Sequence, residues 1–155
     1  MAKATAQDGI LMMQLYDLRR EAEMRKARNW WVVEFWPQNA DDFMKVVNDL
    51  GSQENNWLRQ VAGYWDMAAA LVVQGALHEE LFLQPGSSGE MFFIFAKVRP
   101  FLKELRVKLG NPESWINVEK VVTGSKLARK RLDRVSTTVE TRRKQFAKDK
   151  AGKKG

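Results

Sequence analysis

The sequence contains no cysteine, one histidine, four prolines, and no apolar run longer than Met67 to Val73. The missing cysteine excludes a thiol nucleophile, a disulfide framework, and zinc or iron–sulfur sites built on thiolates. A single histidine, His78, provides no H-E-x-x-H or paired-histidine metal pattern. The apolar runs fall well short of the roughly 18 to 20 residues that cross a bilayer. The N-terminal residues 1–8 lack a charged region followed by an apolar stretch and a cleavage site, so the expected compartment is the cytoplasm. A glycine-rich phosphate loop and a G-x-S-x-G elbow are also absent; Gly86 and Gly89 flank a serine pair at a helix start rather than follow a strand. No catalytic, metal or cofactor residue is assigned, and no cofactor is expected.

What is present is 155 residues, 45% of them apolar, with six tryptophans. A chain of this length buries roughly 70% of its unfolded surface and needs no covalent staple. Its net charge of +7 is unevenly spread. Residues 1–125 carry 14 basic and 16 acidic side chains, and residues 126–155 carry 12 basic and three acidic ones. The basic character therefore belongs to the C-terminal segment, and the compositional boundary lies at Thr123-Gly124-Ser125.

Helix punctuation is dense. Asn39 with Asp41 and Asp42 reads as a cap and an acidic first turn, Phe43, Val46, Val47 and Leu50 as an apolar stripe, and Gly51 as the stop. From Gln53 to Gln74, Trp57, Val61, Tyr64, Trp65, Ala68, Leu71 and Val72 recur at helical spacing before Gly75. Ser87-Ser88-Gly89-Glu90 has capping-box spacing and predicts a helix start, ended or kinked near Arg99 by Pro100 and resumed to Gly110. Asn111-Pro112-Glu113 predicts a further start, running to about Val122. Residues before 37 read as helix; the competing reading of Trp30 to Trp36 as a strand leaves no second strand to pair with. The expectation is a single all-α domain of five or six helices over residues 8–124, then a basic tail, residues 125–155, partly helical or disordered. In that tail Ala128, Leu132, Val135, Val139, Arg142 and Phe146 follow a heptad seam interrupted by arginine.

Four polar residues in apolar or acidic surroundings invite a chemical reading. Asp66, between Trp65 and Met67, needs a cation or several donors if buried, and Arg99 is the expected structural partner. Glu34 poses the same question among aromatics, and nothing brings the two acids together as an acid/base pair. His78, beside Glu79 and Glu80, reads as part of a surface turn. The cluster of Trp30, Trp31 and Trp36 is hard to bury from one helix inside one protomer, which points to an interface with a second copy or a protein partner. The tail provides a second candidate surface. Arg129-Lys130-Arg131 and Arg142-Arg143-Lys144 lie 13 residues apart, so a helix shows them on roughly one side, suited to phosphates of nucleic acid or an anionic surface.

The stretch Val61-Ala62-Gly63-Tyr64-Trp65-Asp66 through His78-Glu79-Glu80-Leu81-Phe82, a glycine-containing turn, then Phe95-Ala96-Lys97-Val98-Arg99-Pro100-Phe101-Leu102 resembles a bacterial family catalogued as domain of unknown function 4760. The resemblance covers about a third of the chain. It implies an all-helical fold, and many relatives place the domain behind membrane helices, which this sequence lacks. No activity is assigned to the family, so no functional residue is carried over; Asp66, Arg99 and Pro100 fall on its pattern. The resulting expectation is a non-enzymatic interaction or self-association module. The alternative is a nucleic-acid-associated protein acting through its basic tail.

Overall fold

Side-chain caps set many of the helix starts. In the computed structural model, which describes residues 2–155, Thr5 and Asp8 cap one another at the start of α1 (Ala6–Arg19). Asn39 accepts the Asp42 amide at 2.9 Å and opens α3 (Ala40–Asn48), and Ser52 accepts the Asn55 amide at 3.1 Å and opens α4 (Gln53–Val73). Between α1 and α3 lie α2 (Ala22–Asn29) and a π-turn, Trp30–Glu34. The single turn α5 (Glu79–Phe82) leads to α6 (Pro85–Val98), a 3₁₀ turn (Arg99–Phe101) and α7 (Leu102–Leu109). Then come α8 (Ile116–Thr123) and α9 (Lys126–Gly152).

Among the described residues the fold is all-helical, with eight helices of two turns or more and the one-turn α5, instead of five or six. The additional breaks have local causes. The first helix stops at Arg20, and the Glu21 carboxylate restarts the chain by accepting the Glu23 and Met24 amides. No strand forms at Trp30 to Trp36; the chain winds into the π-turn, with the Phe35 N–H donating to Trp30 O at 2.9 Å. Helix α6 starts at Pro85, whose missing N–H costs nothing at the first position, so the Ser87 capping box goes unused and Ser88 is buried inside the helix. Asn111-Pro112 makes a turn rather than a helix start. That turn is held by Arg106 Nε donating to Ser114 O at 2.9 Å and ends at Trp115, left-handed at φ 66°. Burying the Trp115 ring against Trp31, centroids 6.0 Å apart, offsets the strain a side chain meets there.

Helix α4 forms the centre of the core, with α2, α3 and α8 against it, and α6 packs between α8 and α9. The basic segment is one continuous helix, and Ala128, Leu132 and Val139 are buried in the same core as Trp65 and Phe92. Its seam corrects the heptad reading by one residue: Arg143 faces inward and Arg142 faces solvent. The seam is used against the chain's own body.

Leu132, 1% exposed, therefore behaves as a core residue. Leu132→Ala is expected to lower the unfolding free energy by about 2–4 kcal/mol in urea titration; a helix independent of the body would lose less than about 0.5 kcal/mol.

Candidate functional site

A π-turn widens the backbone ring and leaves carbonyls with no amide donor four residues on. Here the side chain of Lys97, fully buried on α6, supplies the missing donors. Its Nζ donates to Trp31 O, to Phe35 O at 2.7 Å and more weakly to Val32 O at 3.4 Å. The ammonium also lies 3.6 Å from the centroid of the Trp36 ring. The Trp36 indole N–H takes Val33 O at 2.9 Å, and Gln38 Nε2 takes Trp36 O at 3.0 Å. Arg143 completes the set from α9: Nη1 donates to Pro37 O and Nη2 to Lys97 O at 2.6 Å. Two buried basic side chains thus meet carbonyl oxygens, and among the described residues the carboxylate in contact is that of Glu140, 3.3 Å from Arg143 Nε. Burial, with the Arg143 and then the Arg142 charge close by, pushes the Lys97 ammonium down to about 6.

This arrangement overturns the aromatic-interface expectation. Trp30, Trp31 and Trp36 are 6%, 0% and 8% exposed, because the π-turn folds Phe35 back onto Trp30, stacked at 4.4 Å, and lets Trp31 point into the core. Among the exposed apolar side chains, Ile10, Met13 and Tyr16 lie along α1 and Val33 on the π-turn itself.

The expected Asp66–Arg99 ion pair does not form. Asp66 Oδ2 accepts from Asn117 Nδ2 at 3.3 Å, while Arg99 reaches across to Asp133 at 3.4 Å, because the 3₁₀ turn aims Arg99 at α9 instead of α4. Glu34 is exposed at the end of the π-turn, and His78 caps α5 by accepting the Leu81 amide at 3.3 Å. These residues belong to four separate elements, and among the described residues no group of His, Asp and Glu is arranged to hold a metal ion. Sequence reasoning missed Lys97 and a second polar centre, Glu90, which binds Arg28 Nε through both oxygens (2.9 and 3.1 Å) and accepts the Trp65 indole N–H at 3.1 Å. The signal for Lys97 was a charge inside an apolar run, the same signal that singled out Asp66, whereas Glu90 stands at the polar edge of one.

The six candidate anion-binding residues divide by side. Arg143 is consumed in the core, and Arg131 donates to Leu83 O while its guanidinium lies 5.3 Å from the Phe92 ring. Arg129, Lys130, Arg142 and Lys144 remain exposed, though Arg129 also donates to Thr123 O at 2.7 Å and Arg142 lies over Phe93. With about 100° of turn per residue, Lys126, Lys130, Arg134, Lys144 and Lys148 fall within about 80° of one another, on the face opposite the buried seam. All five are exposed, and among the described residues none is in an ion pair.

A family model described as Domain of unknown function (DUF4760) matches residues 4–125. The match stops where α9 begins. No curated protein and no solved structure matches the chain.

Because the folded pKa of Lys97 lies below its ordinary value of 10.5, the native state binds fewer protons than the unfolded state between about pH 6 and 10.5. Stability therefore rises with pH through that window. The free-energy difference between the native chain and Lys97→Met is expected to grow by up to about 1.4 kcal/mol per pH unit from pH 7 to 9 in urea titrations. Parallel curves for the two proteins would show that Lys97 stays protonated throughout.

Proposed function

We propose that this chain, which belongs to the family Domain of unknown function (DUF4760), binds polyanions, nucleic-acid phosphates first, along the solvent face of α9. The observation that carries the reading is the row Lys126, Lys130, Arg134, Lys144 and Lys148, exposed and unpaired on a helix whose other face is locked into the core. From Lys126 to Lys148 the row is about 33 Å long, close to one turn of B-form DNA. Cations held by a docked helix lose less freedom on binding than those of a flexible tail, and each phosphate neutralised releases counterions. Self-association through the tryptophans loses its support because those rings are already buried.

The test follows from the docking of α9. Deleting residues 126–155 would remove core as well as charge, so substitutions confined to the outer face separate the two effects. The native chain is expected to bind a fluorescent 20-base-pair duplex with a steep log–log salt slope. Lys130→Gln, Arg134→Gln, Lys144→Gln and Lys148→Gln together should reduce that slope by up to about 3.6, at about 0.9 per contact. An unchanged slope in a variant with native circular dichroism would refute the reading.

A further inference from the structure

The cationic row on α9 is interrupted at its middle. Lys126, Lys130 and Arg134 stand toward one end and Lys144 and Lys148 toward the other, with about 15 Å of helix axis between Arg134 and Lys144. The positions that continue the line across this gap are Thr137 and Thr141, so that the steps from Lys126 to Lys148 are 4, 4, 3, 4, 3 and 4 residues. Both threonines are exposed. The acids nearest the gap, Asp133 and Glu140, lie about 60–80° around the helix from the centre of the line. They are bonded to Arg99 and Arg143 respectively. The outer face thus reads as cations, two hydroxyls, cations.

The hydroxyl of Thr137 donates to Asp133 O at 3.2 Å, and that of Thr141 donates to Thr137 O at 3.1 Å. With its hydrogen committed to its own helix, each side chain has an acceptor oxygen and a methyl group left for a ligand. A phosphate oxygen needs a donor and gains nothing from either. The edge of a base pair in the major groove suits both: the exocyclic amine of adenine or cytosine donates to an acceptor, and the thymine methyl packs against a methyl.

The major groove of B-form DNA is about 12 Å wide, admits an α-helix and is bordered on both sides by phosphates. The groove winds around the duplex, so a helix laid in it reaches base edges over a few turns and meets the flanking backbones beyond them. A neutral centre with cationic ends is the charge pattern this geometry requires. Duplex RNA does not provide the same seat, because its major groove is deep and narrow.

We infer that α9 docks in the major groove of duplex DNA, with Thr137 and Thr141 against base edges and the two groups of cations on the bordering phosphates. This inference rests on the polyanion reading and names the class of partner. The two threonines carry no charge, so substituting them leaves the phosphate contacts in place.

The experiment measures binding of the full chain to a labelled 20-base-pair DNA duplex and to the RNA duplex of the same sequence at one salt concentration. It then compares A·T-only with G·C-only DNA for the native chain and for Thr137→Gln with Thr141→Gln, with circular dichroism to confirm folding; glutamine is the better helix former. The native chain should bind the DNA duplex about tenfold more tightly than the RNA duplex, the equivalent of one good base-edge contact. Because glutamine pairs with adenine through two hydrogen bonds, the double variant should shift the affinity ratio about tenfold toward the A·T duplex. Its salt slope should stay at the native value, since no cation is lost. Equal affinity for the DNA and RNA duplexes, or a base-pair preference that the double variant does not move, overturns groove docking and leaves phosphate binding intact. Failure of both duplexes to bind overturns both readings.

Discussion

The carbonyl oxygens of residues 31 to 37 must be satisfied where helical bonding has given out, and the rest of the structure is arranged around that need. Six of these seven oxygens are taken by side chains: three by Lys97, one each by Trp36, Gln38 and Arg143. Leaving a single buried acceptor unpaired costs roughly 1–3 kcal/mol, so the set outweighs any one apolar contact in the region. The same bonds fix the relative positions of three elements. Lys97 ties α6 to the π-turn, and Arg143, by holding both Pro37 and the backbone of Lys97, ties α9 to each. The Lys97 and Arg143 side chains meet backbone carbonyl dipoles, and the Lys97 Nζ lies over the Trp36 ring.

Much of the fold was legible because caps and stops act locally. Asn39, Gly75 and Gly110 declare helix ends through their own side chain or their own φ, whatever surrounds them. The π-turn was not legible, since Trp30 to Glu34 has the composition of either a helix or a strand and its geometry depends on donors 60 to 100 residues away. That dependence also explains the misreading of the tryptophans. On a regular helix Trp30, Trp31 and Trp36 diverge, and divergent large rings suggest a partner; the π-turn turns the chain back so that one core holds all three. The basic helix was misjudged for a different reason. Composition does not separate the cations, whereas the helix points Arg131 and Arg143 toward the body and Lys130 and Lys144 toward solvent.

This division by direction gives α9 two roles at once. Its inner arginines bond to carbonyl oxygens and help hold the domain together; among the described residues its outer lysines are in no ion pair. The body beneath it, residues 1–125, has two more acidic than basic side chains, so the chain's excess positive charge is carried by residues 126–155.

The long reach of these bonds also sets an order of events during synthesis. Pro37 waits for Arg143, 106 residues later, and Phe35 waits for Lys97, 62 residues later. At 5–20 residues per second the first of these delays is roughly 5–20 s. Through that interval the tryptophan-rich segment has exposed rings and unpaired carbonyls, a combination that invites association with other nascent chains. Helix α9 is therefore the one that ends the vulnerability of residues 31–37.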